Sequence, residues 1–386
     1  MSVAGIPDIN APDNTSRFPD AEIATLAVRG NVFSDWESVW LQHRWHEAFA
    51  YFRFTAAERG TPPKDWTLLQ FKPGDNCTIW LARQLALVGI ITDRQVSYDA
   101  ERHQVQLVGK SLTHWGYKSS VDVDKNNQGS FDGQTLEAIF KQVMSAYPGS
   151  PKVIGMVNPL PFEKCQCNVG ELTWDFIERL ARPRGATLGS DQFGNYLLIG
   201  NHQFPLVAKL EEGVNIKACE CRISHDEFFQ AIDVRGQGAG SDKSSGSATN
   251  EYKCIVAGKA EVYSKIIIPA EQPIEGQAEA CDRAYNEAKW IAGTEIVANI
   301  VTYGWTYDGK NLWAAGQNVY VDSPMAMLNM VLKVRTVTFE QSDQTGTQTT
   351  LELVAPWLLD DSTTLNVSNP TAPTPPVPNP QGTPFA

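Results

Sequence analysis

Apolar and polar positions fall into the same order twice along this chain. From Lys72 to Gly109 (KPGDNCTIWLARQLALVGIITDRQVSYDAERHQVQLVG), the turn Gly74-Asp75-Asn76 leads at once into a β-type run, Cys77 to Trp80. An apolar block follows, Leu85 to Ile91, then the alternating stretch Val96-Ser97-Tyr98-Asp99 and a last strand carrying Val105 and Leu107. From Ala314 to Pro356, the turn Gly316-Gln317-Asn318 opens the same series: Val319 to Val321, Met327 to Val334, Val337-Thr338-Phe339-Glu340, then Leu351 and Leu353. Alternation with period two marks half-buried strands. An internal repeat sets the architecture, and the series implies one β-module used twice, with Val96 to Asp99 matched to Val337 to Glu340.

The remaining pattern places other elements around the two copies. Residues 1–19 are rich in Pro, Asp and Asn and read as an N-terminal arm. IATLAVRG after Glu22 reads as a strand, Asn31 to Trp40 as a turn and strand, and Trp45 to Thr55, with its alternating aromatics, as one more half-buried strand. Residues 20–114 thus form a first barrel-like module of six or seven strands. Between 115 and 205 the period changes. Leu136, Ile139, Phe140, Val143 and Tyr147 recur at helical spacing, stopped by Pro148-Gly149. Asn168 and Glu171 have capping-box spacing and open a second helix with Leu172, Phe176, Ile177 and Leu180 on one face. ATLGSDQFGNYLLIG reads as a hairpin turning at Asp191, Gly194 and Asn195. Residues 206–358 form the second module, interrupted by a low-complexity loop at 236–250 and a helix at 275–292. The tail, 359–386, is Pro-rich and cannot pack a core. The fold class is therefore α+β, mainly β: two similar barrel-like β-domains flanking a small α+β insert.

Composition narrows the function. The 386 residues carry a formal net charge of −12 and no Lys/Arg-rich segment, which argues against a general nucleic-acid binder. Such a chain can still line a channel through which DNA slides without sticking. Seven cysteines, an odd number, and an N-terminus without basic and apolar signal regions argue against a secreted disulfide scaffold. The longest apolar runs are too short to span a bilayer, so no stable membrane insertion and a cytoplasmic site of synthesis are expected.

Candidate chemistry is sparse. Cys165-x-Cys167 and Cys219-x-Cys221 place pairs of thiols on one strand face, where His202 or His225 could complete a zinc site. The usual C-x₂₋₄-C spacing is missing, and no metal or other cofactor is expected. Gly236 to Gly240 lacks the form of a phosphate-binding loop. His43, His46 and Glu47 do not make the H-E-x-x-H helix pattern. Glu171 and Asp175 could form a glycosidase pair, but a cap and a first-turn dipole partner explain them better. No catalytic, cofactor-binding or metal residue is assigned, and the chain is expected not to be an enzyme.

Three stretches carry a resemblance: GIITDRQVSYDAERHQVQLVGKSLTHW, GELTWDFIERLARPRG with its following hairpin, and VYVDSPMAMLNMVLKVRTVTFEQSDQTGTQTTLELVAP. Together they resemble the baseplate hub protein of Mu-like contractile-tailed phages over about residues 20–358. The hub of T-even phages and the hub part of type VI secretion spike proteins are similar in design. The resemblance implies a homotrimer whose two modules per chain make a pseudo-sixfold ring. That ring would join the sixfold tail tube to a trimeric spike, with other baseplate proteins as neighbours, and leave a lumen for DNA ejection. It implies a location in the virion tail baseplate, after assembly in the host cytoplasm. The alternative from the residues is a tail-associated protein that binds cell-wall glycan or hydrolyses peptidoglycan, using the insert and exposed aromatics such as Trp115 and Trp174.

Overall fold

The structure, a computed structural model, describes residues 22–34, 36–58, 71–99, 103–202, 204–236, 252–270 and 276–356. The N-terminal arm, the low-complexity loop beyond Gly236 and the Pro-rich tail lie outside these residues.

The first module contains β1 (Ala24–Val28), β2 (Asn31–Phe33), β3 (Ser38–Arg44), β4 (Tyr51–Glu58), β5 (Asn76–Leu81), β6 (Gln84–Tyr98) and β7 (His103–Ser111). The insert follows, with α1 (His114–Lys118), α2 (Leu136–Met144), β8 (Pro151–Ile154), α3 (Thr173–Ala181), β9 (Thr187–Ser190) and β10 (Tyr196–Ile199). The second module starts with β11 (Leu206–Glu211) and β12 (Ile216–Ile223). A satellite unit interrupts it: β13 (Ala231–Gly236), β14 (Tyr252–Ala257), β15 (Lys265–Pro269) and α4 (Gln277–Gly293). It is completed by β16 (Ile296–Tyr303), β17 (Asn318–Ser323), β18 (Leu328–Ser342) and β19 (Gly346–Val354).

The modules are not two separate barrels. One 13-stranded sheet runs through both in the order β12-β16-β19-β18-β3-β4-β7-β6-β5-β1-β2, with β17 on β18 and β11 on β17. The join is the antiparallel pair β3–β18, in register from Thr336 opposite Arg44 to Ser342 opposite Ser38. Apolar residues from both modules form a single core, with Phe52, Ile79 and Leu107 in the same cluster as Ile300, Val337 and Leu351.

The internal repeat extends to individual hydrogen bonds. Gly74 and Gly316 both have positive φ, 100° and 89°, a region that L side chains avoid. Their N–H groups donate to Ile91 O and Val334 O, each at 2.8 Å. In return Ile91 and Val334 donate to Asp75 O and Gln317 O, each at 2.9 Å. The intervening side chains also match: Asp75 Oδ2 accepts from Lys72 N at 2.8 Å and Gln317 Oε1 from Ala314 N at 2.9 Å.

The structural equivalence differs from the sequence alignment by two residues. The ladder steps between Ile91 and Asp93 in β6 and between Val334 and Thr336 in β18. These bulges align Thr92 with Arg335, hence Val96 with Phe339 rather than Val337. A shift of two keeps every side chain on its own face, so the polar–apolar pattern cannot detect it. A further bulge between Ile79 and Trp80 is absent from the β17–β18 pairing, where the turn, 324–327, is two residues longer than its equivalent, 82–83.

Three other expectations change. Trp45 to Thr55 is not one strand: β3 ends at Arg44, and Trp45, Ala48, Phe49 and Ala50 are buried in a connection before β4. Phe49 belongs to the insert's core, so this connection serves two cores at once. The second helix begins at Thr173 rather than at Asn168, although Glu171 does accept from Asn168 N at 2.9 Å. The cysteines include one disulfide, Cys254–Cys281, which ties β14 to α4 with Cα atoms 5.0 Å apart. Helix α2 is capped as a Thr should cap it, with Thr135 Oγ1 accepting from Ala138 N at 3.3 Å.

Candidate assembly surface

The residues singled out for chemistry do not converge. Cys165 and Cys167 lie in the insert, where burial pushes their thiols up to about 12 and about 11. Cys219 and Cys221 lie on β12 in the second module, also raised by burial. Thiols raised this way hold their protons at neutral pH and are poor metal ligands. Among the described residues, no group of three or more His, Cys, Asp or Glu could hold a metal ion. His202 packs edge-on against Phe204 at 4.5 Å, and His225 lies 3.9 Å from Glu295.

His43, His46 and Glu47 point to three different partners. His43 Nε2 lies 3.0 Å from Ser190 O, and burial lowers its pKa. His46 is brought down to about 3 by burial and by nearby Lys333 and Arg335. Glu47 accepts from Arg44 at 2.8 Å. In the insert, Arg179 grips Glu171 with Nε at 2.7 Å and Nη2 at 2.9 Å. Burial pushes the Glu171 carboxyl up, but Arg179 and the Asn168 N–H outweigh it, leaving the group below its ordinary value. A carboxylate so held is kept ionised by its partners, although it lies before α3, whose N-cap is Leu172, and so does not cap that helix. Asp175 is in the first turn of α3. Trp174 is buried, and the Trp115 ring is covered by Lys118 Nζ at 3.7 Å. A cleft of about 410 Å³ between the insert and α4 is lined by His46, Trp174, Arg182, Arg283 and Trp290.

What the structure does concentrate is the junction of three units on one indole, Trp45. Its N–H backbone group donates to Arg335 O at 2.8 Å, extending the β3–β18 ladder by one bond. Its ring packs edge-on against Phe204 at 4.9 Å and shares a cluster with Leu197 and Ile199 of the insert and Val354 of the second module. Lys333 is fully buried, with Nζ 4.4 Å from the Phe204 centroid and 5.5 Å from that of Trp45. Cation–π attraction is strongest in such desolvated places. A Cβ on Gly316 would sit 2.2 Å from the Trp45 ring, so the turn glycine is required twice, by φ and by space. Sequence reading found Gly316 as a turn but missed Trp45, because nothing in its neighbourhood marks it off from the strand before it.

The two modules also leave edges open. Among the described residues, β12 pairs only with β16, and the outer part of β6 (93–98) pairs only with β7. β12 is mostly exposed and β6 is exposed from Asp93 to Tyr98. Open edges are templates for further strands.

With this architecture in view, the comparisons are specific. The chain has the fold of phage tail proteins. It is similar to the 43 kDa tail protein of prophage MuSo2 from Shewanella oneidensis, with TM-score 0.75 and 22% identity over 88% of this chain and 99% of that one. It is also similar to a tail protein from Neisseria meningitidis MC58, with TM-score 0.74 and 17% identity over 88% and 98%. A component of the Escherichia coli type VI secretion system, described as structurally similar to T4 phage tail proteins, matches with TM-score 0.55 and 10% identity over 86% and 76%. Residues 23–111 match the family model of the Mu phage baseplate assembly protein GpP-like, N-terminal. The resemblance to Mu-like baseplate proteins read from the sequence therefore holds: residues 23–111 match that family's N-terminal model, and 88% of the chain shares the fold of phage tail proteins. No curated protein matches this sequence.

Proposed function

We propose that this chain is the structural hub of a contractile-tail baseplate. Three copies form a pseudo-sixfold ring that joins the tail tube to a trimeric spike and surrounds a lumen for DNA. The observation that carries this reading is the repeat, matched bond for bond at its opening turns and by the bulge that β6 and β18 each carry against β7 and β19. A trimer of such chains presents six near-equal modules, which is how a threefold body can meet a sixfold one. The net charge of −12 suits a wall that DNA passes without sticking. The hub is non-enzymatic on this reading, and of the two carboxylates weighed as a glycosidase pair, Glu171 is paired with Arg179. It acts in the virion tail, after assembly in the host cytoplasm. Electron microscopy of the purified assembly tests this directly. A ring of six similar lobes around an open centre is expected, and a particle without that symmetry would overturn the reading.

A further inference from the structure

The two modules are joined within one chain by β3 against β18, and the repeat says which strands would make the same join between chains. The bulge at Thr92, equivalent to that at Arg335, sets Asp93–Tyr98 of β6 equivalent to Thr336–Gln341 of β18. The pairing of β4 with β7 and of β16 with β19 carries the equivalence outward, placing Tyr51 with Val297. The pairing of β3 with β4 and of β12 with β16 then places Leu41 with Cys221 and Val39 with Cys219. So β12 is the second module's β3, and outer β6 is the first module's β18.

Equivalent strands have opposite surroundings. At the internal join, Val337, Phe339, Gln341, Val39 and Leu41 are all buried. At their counterparts the same face is exposed: Arg94 stands in place of Val337, Val96 is 47% and Tyr98 76% exposed, Cys219 is exposed and Cys221 half-buried. Ile223, one register step on, is 38% exposed. An exposed strand edge carrying apolar side chains that no described strand covers is an aggregation hazard unless something pairs with it. The strand that fits it is defined by the chain's own geometry.

We propose that β12 of one copy pairs antiparallel with outer β6 of the next copy, repeating the β3–β18 register between chains. Transferring that register puts Cys221 opposite Val96, Cys219 opposite Tyr98 and Arg222 opposite Gln95. Val96, Tyr98, Cys219 and Cys221 then share one face as Phe339, Gln341, Val39 and Leu41 do inside the chain, with Arg94 opposite Ile223 where Val337 stands opposite His43. Asp93 and Arg222 become diagonal neighbours of opposite charge on the other face, a favourable cross-strand relation. The contact is head-to-tail, so it closes into a ring when the rotation allows. This deepens the hub reading and rests on it: it names the strands, the register and the partner, a second copy of this chain.

The test uses the native thiol. Directly opposed residues of an antiparallel pair have Cα atoms within disulfide reach. Tyr98→Cys in the full chain, mildly oxidised, is expected to give covalent species at multiples of 42.6 kDa on a non-reducing gel. Adding Cys219→Ser should abolish them, Val96→Cys should cross-link instead through Cys221, and Ser97→Cys, on the opposite face, should not cross-link. A chain that has trimeric mass by light scattering but gives no cross-link from Tyr98→Cys or Val96→Cys overturns the register while leaving the hub standing. A chain that is monomeric and uncross-linked overturns both.

Discussion

The first and second modules are built on one ladder but differ in what joins their equivalent strands. Between β3 and β4 the connection is only residues 45–50, and it is packed inward through Trp45, Ala48 and Phe49. Between β12 and β16 the equivalent connection is residues 224–295, and it holds the satellite unit of β13, β14, β15 and α4. The ladder is constrained by register and a shared core, so it is the same twice. The connection lies at the end of the strands, where loop closure grows only slowly with length, so it can grow into a separate unit with its own small core. The short connection became a keystone of the chain, and the long one a self-contained attachment.

Substitutions can break this contrast in order of size. Trp45→Ala should cost about 3–5 kcal/mol in urea unfolding, because it empties a site packed by three units. His225, the register equivalent of Trp45 just beyond β12, has a side chain 70% exposed. His225→Ala should therefore stay within about 0.5 kcal/mol; equal effects at the two sites would mean that Trp45 is not a keystone. Replacing both Cys254 and Cys281 by Ser should cost about 3 kcal/mol, from a bridge spanning 27 residues. Hydrogen exchange should place the loss in β13–β15 and α4. Loss spread evenly over the large sheet would argue that the satellite is not self-contained.

The turn glycines sharpen the comparison further. Gly74→Ala meets open space and should cost only the conformational penalty of about 1–2 kcal/mol. Gly316→Ala adds a clash with Trp45 and should cost about 1–3 kcal/mol more. In a Trp45→Ala background that excess should vanish, which a double-mutant cycle would measure.

A pH prediction closes the series. His46 is held down to about 3 from its ordinary 6.5, so the unfolded chain binds the proton more readily. Its contribution to stability is full above about 6.5 and is lost as pH falls toward about 3. His46→Gln should flatten that acid limb in thermal melts between pH 6.5 and 4, and an unchanged limb would show that another group governs it.

Much of this fold is legible in the sequence because period-two alternation and turn glycines report local physics. The repeat, the first and last turns, the two insert helices and α4 follow from them. The two-residue error at Val96 and Phe339 shows the limit: alternation is blind to even shifts, and only the paired bulges resolve them. The β3–β18 join was equally hidden, since a strand does not announce which neighbour takes its second edge. The sequence holds eleven tryptophans, and only the structure shows that Trp36, Trp45, Trp80, Trp305 and Trp313 are buried. Indole abundance reports contact area but not whether the contact is internal. The Cys219 and Cys221 spacing was seen correctly as one strand face, but its surroundings became meaningful only beside the buried Val39 and Leu41.

The most direct measurement is the solution mass of the full chain by light scattering across a concentration series. The account predicts a species of three times 42.6 kDa that persists on dilution. A monomer at every concentration would contradict it.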